Sequence, residues 1–138
     1  MRIVGFNFTK ISAEKVNESA KDVKINSNID ISKIDSLKTD VLKTREDLLG
    51  ISFTHTVNYA PDFANLEVKG VIIIALEPKL AKNVLKDWKE KKLDEEIRVP
   101  LFNLILKRSA LKLLPLEGEM NIPLHLPLPS FKKEDAKK

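Results

Sequence analysis

The chain has 138 residues, room for one domain, and is 43% hydrophobic and 32% charged, a balance that supports a packed core and excludes general disorder. Twenty-four Lys and Arg against 20 Asp and Glu leave a net charge of only +4, with both signs interspersed, and cysteine is absent, which removes disulfides, thiolate catalysis and cysteine-based metal centres. No apolar run reaches the ~18–20 residues of a membrane span and no secretory leader follows Met1-Arg2, so a cytoplasmic protein is expected.

Val4, Phe6 and Phe8 alternate with Gly5, Asn7 and Thr9, the period of a half-buried strand. A polar stretch at 17–22 reads as a turn. Val23, Ile25, Ile29 and Ile31 then alternate with polar residues in a second strand that runs on toward Leu37. Residues 36–48 fit either a short helix or an irregular link. From 49 to 59, Ile51, Phe53, His55, Val57 and Tyr59 share one face, and Ser52, Thr54, Thr56 and Asn58 the other. Turn formers at 60–65 join this strand to a fourth, through Leu66, Val68 and 71–76, as an antiparallel hairpin. The stretch 71–76 is apolar on both faces, which predicts cover on both sides, by helices or another subunit.

Beyond Glu77-Pro78 the period changes. Leu80, Val84, Leu85 and Trp88 recur at helical spacing with lysines opposite, predicting an amphipathic helix over about 79–92 that Pro78 opens. Leu93-Asp94-Glu95-Glu96 reads as a break, and Val99-Pro100 as a new start. The second helix, 100–114, has apolar residues around nearly its whole circumference, which calls for burial on several sides and hence a partner subunit. Pro115 and Gly118 are expected to end it. Pro123, Pro127 and Pro129 then forbid helix and central strand. They leave an extended segment whose leucines dock on apolar surface. Residues 132–138 read as a charged, flexible tail. The order predicts an α+β fold over 1–131, with an antiparallel sheet of about four strands and two C-terminal helices packed on one face.

Residues for chemistry are sparse. The only histidines are His55 and His125. His55 sits on an apolar strand face and reads as a core or interface residue. His125 lies in the proline-rich segment with no acid or nucleophile at motif spacing. Neither belongs to a metal-ligand pattern. The four glycines are isolated and build no phosphate loop. The lysines around the first helix are offset by Asp87 and Glu90 and lack the interleaved aromatics of single-strand binders. No enzyme, metal, cofactor or nucleic acid is therefore expected. What the chain has in excess is apolar surface, and exposed apolar surface marks partners.

Five stretches carry a likeness. Pro100-Leu101-Phe102 opens a hydrophobic helix. It is followed by Met120-Asn121-Ile122-Pro123-Leu124-His125-Leu126-Pro127-Leu128-Pro129-Ser130-Phe131. Phe8-Thr9-Lys10-Ile11-Ser12-Ala13-Glu14 and Val23-Lys24-Ile25-Asn26 stand where two early strands are read, and Leu66-Glu67-Val68 lies on the fourth. These patterns and the element order over 1–131 resemble the SecB export-chaperone family and its SecB-like relatives. The resemblance implies a cytoplasmic, ATP-independent holdase that binds unfolded or precursor polypeptides in hydrophobic grooves, for protein export in the family's founding case. It also implies a homo-oligomer, a dimer or a tetramer built as a dimer of dimers. By matched position Val23, Ile25, Leu66 and Val68 would line the strand side of the groove, and Phe102, Leu124 and Leu126 the helix-and-tail side. Glu67 would dock a partner, the translocation ATPase. The alternative for the apolar excess is a structural or assembly subunit that binds no clients.

Overall fold

Alternation along the third strand is kept residue by residue. Ile51, Phe53, His55, Val57 and Tyr59 are buried, and the residues between them face the other side. In the computed structural model, which describes residues 1–19, 21–37, 45–129 and 131, the elements are β1 (Arg2–Lys15), β2 (Lys24–Leu37), β3 (Asp47–Ala60), β4 (Ala64–Leu76), α1 (Pro78–Trp88) and α2 (Glu95–Glu119). The strands form one antiparallel sheet in the order β1-β4-β3-β2. The fold is the expected α+β arrangement. The middle of the undecided stretch 36–48 and the tail 132–138 lie outside the described residues.

The hairpin β3–β4 forms the centre of the sheet, and its inner face carries two apolar clusters. Ile51, Phe53, Ile72, Ile74 and Leu76 pack with Ala81 and Val84 of α1 and with Ile97, Leu101 and Ile105 of α2. Farther along the strands, Val57, Tyr59, Leu66 and Val68 pack with Leu113 of α2 and with Ile122 beyond it. Over 71–76 the inner face is covered throughout, with Ile72, Ile74 and Leu76 buried, and the other face only in part, with Val71 and Ile73 half-buried and Ala75 buried.

Both helix boundaries depart from the sequence reading. α1 stops at Trp88 because Lys91 takes a left-handed conformation, φ 58°, and the Lys92 N–H reaches back to the Asp87 carbonyl, a closure that ends a helix. α2 begins at Glu95 and runs through both prolines to Glu119. Each proline removes one hydrogen bond to the carbonyl four residues back. Those carbonyls belong to Glu96 and Leu111, both on the exposed side of the helix, where a freed carbonyl is open to solvent. Asn121, φ 54°, ends the helix instead, as asparagine readily adopts this conformation.

Within the protomer α2 is buried along one row rather than all round, which leaves exposed the apolar surface expected to meet a partner subunit. The buried residues are Ile97, Leu101, Ile105, Ser109, Leu113 and Glu117, a single row spaced by four. Leu106 and Leu111 are exposed. A step of four overshoots one helical turn by about 40°, so the buried face rotates along α2 and follows the two clusters in turn.

Gly70 sits opposite Phe53 in the β3–β4 register. A Cβ there would stand 2.6 Å from the Asn7 carbonyl oxygen and 2.8 Å from the Phe53 ring. Gly70→Ala is expected to destabilise the protein by about 1–3 kcal/mol through overpacking. Gly118→Ala meets nothing within 4 Å and is expected to stabilise α2 by about 0.5–1 kcal/mol. Urea unfolding of the two variants checks both signs.

Candidate functional site

Among the described residues β2 is an edge strand and pairs on one side only, with β3. Its inner-facing row, Ile25, Ser27, Ile29 and Ile31, borders a different feature at each end.

At one end lies an open cleft of about 500 Å³ lined by Ile29, Asp30, Ile31, Ser32, Trp88, Lys91, Leu93, Arg98 and Phe102. The register of β2 shifts between Ile31 and Lys33, so a bulge kinks the strand at the cleft wall. The left-handed residue that ends α1 also places the Lys91 ammonium 4.8 Å from the centre of the Trp88 ring, in cation–π range. The cleft therefore has an apolar floor, two cationic groups, one carboxylate, and beside it a run of unpaired backbone donors and acceptors. That is the chemistry of an extended polypeptide site.

At the other end the core turns polar. Ser27 Oγ lies 2.8 Å from His55 Nε2. Glu117, fully buried, accepts a hydrogen bond from the His125 backbone N–H at 2.7 Å, and its Oε2 lies 2.7 Å from His125 Nδ1. The His125 side chain is 2% exposed. The Tyr59 hydroxyl donates to the Pro123 carbonyl. The two imidazole rings are 6.3 Å apart between centroids. His55 Nδ1 and His125 Nε2 have no hydrogen-bond partner. Burial, and secondarily the charge of His125, lower the His55 pKa to about 4, so His55 is neutral at pH 7. Burial and the nearby Glu117 carboxylate push the Tyr59 phenol well above its ordinary range. Among the described residues no group of three or more His, Cys, Asp or Glu is placed to hold a metal, and no helix is long and apolar enough to cross a membrane.

The structure distributes the sequence-derived site residues between these features. Phe102 lines the cleft. Ile25 is 37% exposed on the edge row, and Leu126 is exposed to the same degree in the C-terminal segment. Val23 and Leu124 are half-buried. Leu66 and Val68 are 1% and 0% exposed, in the cluster completed by Leu113 and Ile122, so they offer no surface in this arrangement. Glu67 lies on the opposite face, with Lys10 Nζ at 2.8 Å and Lys69 Nζ at 3.9 Å. The hydrogen bond from Lys10 holds its carboxyl below the usual range. Sequence reasoning missed the cleft's Trp88, Leu93, Lys91 and Arg98, which come together only when α1 and α2 fold against β2. It also missed Glu117, for which a signal existed, as an acid in register with the apolar row spaced by four.

No family model and no curated sequence matches the chain. Among solved structures the chain is similar to the Mycobacterium tuberculosis SecB-like chaperone Rv1957, in complex with a ChAD peptide from the Rv1956 HigA1 antitoxin. The alignment covers 96% of this chain and 91% of that one, with a TM-score of 0.52 and 13% sequence identity. The fold is therefore SecB-like.

Glu117→Leu keeps the helix but strands the buried donors of His125. It is expected to cost about 3 kcal/mol, the scale for breaking a buried pair on one side, read as a lower urea midpoint at pH 7.

Proposed function

We propose that this protein is an ATP-independent, non-enzymatic chaperone that holds unfolded polypeptide, acting in the cytoplasm as a homo-oligomer. The observation that carries the reading is the apolar cleft beside the unpaired edge of β2. The likeness to a peptide-bound SecB-like chaperone supports it.

An extended client segment adds to β2 as a further strand, since backbone pairing requires no particular sequence. Its alternate side chains point toward Ile29, Trp88 and Phe102. Burial there stabilises the complex by roughly 25 cal/mol per Å² of apolar surface. Lys91 and Arg98 at the rim favour acidic flanks, an attraction that salt weakens. Binding acts by mass action on the unfolded client, so no nucleotide is needed. Val23 and Ile25 extend the contact along the edge of β2, and Leu124 and Leu126 extend it along the C-terminal segment. Leu66 and Val68 join it only when the cover over them lifts. Glu67, on the opposite sheet face, is left for a docking partner.

Both sheet edges are 14 residues long, and long unprotected edges invite pairing. Val99, Leu106 and Leu111 add exposed apolar surface on α2. Both features support association with further copies, as a dimer or a tetramer. They equally suit an assembly subunit that holds no client, and client binding separates the two readings.

A several-fold molar excess of the protein is expected to suppress aggregation of a chemically unfolded client without ATP, read by light scattering. Unchanged aggregation rules out the holdase. Ile25→Asp and Phe102→Ser are each expected to weaken client binding about tenfold, equivalent to about 1.4 kcal/mol, with little change in Tm. Val68→Asp is expected to unfold the protein, because it buries an unpaired charge.

A further inference from the structure

The chain beyond α2 is held in an unusual way for a terminal segment. Asn121 turns it back, and the Ile122 N–H bonds to the Glu117 carbonyl at 2.9 Å. Ile122 is 3% exposed, in one cluster with Val57, Leu66 and Val68. Tyr59 donates to the carbonyl of Pro123, and Glu117 accepts from the backbone of His125. Beyond this point the hold ends, and Leu128 and Phe131 are exposed at 57% and 90%. An apolar, proline-containing stretch thus lies on the sheet with the Ile122 and His125 side chains buried inward and its backbone fastened by protein side chains. A bound polypeptide would lie in the same manner.

We propose that residues 122–126 are a proton-releasable strap over an apolar trough floored by Val57, Leu66 and Val68, and that the occupant replacing the strap is an extended apolar polypeptide. The identity of that occupant rests on the polypeptide-binding reading above; the strap does not.

The proton enters through the geometry of the cluster. The groups that face it are His55 and Tyr59 from β3, Ser27 from β2, Glu117 from α2 and His125 of the strap itself, with apolar Val68 of β4 opposite His55 in register. Glu117 is engaged twice by His125. His55 Nδ1 is buried with no hydrogen-bond partner, so a proton placed there while the strap is down has no acceptor and faces the other imidazole. Lifting the strap takes His125 away from His55 and opens the His55 ring to solvent, so a proton on His55 favours the open form. Because the closed-form value for His55 is depressed below the ordinary 6.5 to about 4, closure is fully favoured above pH 6.5. It weakens by about tenfold per pH unit as pH falls toward 4.

Two-dimensional NMR of the full-length labelled chain, titrated from pH 7.5 to 4.5, tests this. The His55 ring and the amides of residues 122 and 124–126 are expected to change with one shared midpoint, moving to unstructured positions while the β3 and β4 amides at 51, 53 and 72 hold. His55→Phe is expected to abolish that midpoint. Strap amides that stay in place to pH 4.5 overturn the proposal. So does release at an unchanged midpoint in His55→Phe, and if that variant does not fold, the wild-type titration decides alone. In parallel, binding of a reduced and alkylated unfolded polypeptide is measured at pH 7.5 to the wild type and to Glu117→Gln, which loosens the strap at neutral pH. At least tenfold tighter binding to the variant is expected. Strap release with no gain in binding overturns the trough as a polypeptide surface. Absence of binding in every form overturns the polypeptide reading itself, while the NMR result still stands for the strap.

Discussion

One row of side chains on α2, spaced by four, organises the inner face of this protein. Ile97, Leu101 and Ile105 close the cluster around Phe53 and Ile72, and Leu113 closes the cluster around Val57 and Leu66. A 25-residue helix spans about 37 Å, enough to cross both. Spacing by four turns the buried face steadily along the helix, so one element seals two clusters that lie at different places on the sheet. The cleft and the buried polar cluster both lie at the margins of this seal, where the helix leaves the edge of β2 uncovered.

The two ends of that margin differ in chemistry because different elements close them. Near Ile29 and Ile31 the walls come from the end of α1 and the start of α2, leaving an open cleft with aromatic floor and cationic rim. Near Ile25 and Ser27 the wall is the chain's own C-terminal segment, fastened by Tyr59 and Glu117. An apolar trough left bare in a protomer invites nonspecific association. Occupying half of the margin with a segment of the same chain limits that exposure and leaves the other half available.

The buried acid and imidazoles serve position more than stability. Removing a carboxylate from water is costly, and a buried pair is often no stronger than apolar residues of the same volume. Its geometry is directional, however. Glu117 accepts both the backbone and the ring of His125, and Ser27 fixes His55. Apolar contacts alone would let a proline–leucine segment slide along the sheet, since leucines at successive positions are interchangeable. The polar contacts set one register.

How much of this was legible in the sequence depends on the range of the forces involved. The strands were readable from their own residues. Period-two alternation at 49–59 and 23–31 reports which face is buried, and burial along a strand repeats locally. The α+β class followed from the same local rules. The helix limits were misread at Pro100 and Pro115 because a proline's cost depends on whether the carbonyl it abandons reaches water, which the neighbouring chain decides. The cleft and the His55–Glu117–His125 cluster were invisible for a stronger reason. Trp88 meets Ile31, and Glu117 meets His125 below Tyr59, only after helix and sheet pack. The sequence by itself determined the elements, their apolar faces and their order; tertiary structure alone decided which polar groups share a desolvated space, because that pairing acts across the fold between residues with no periodic relation along the chain.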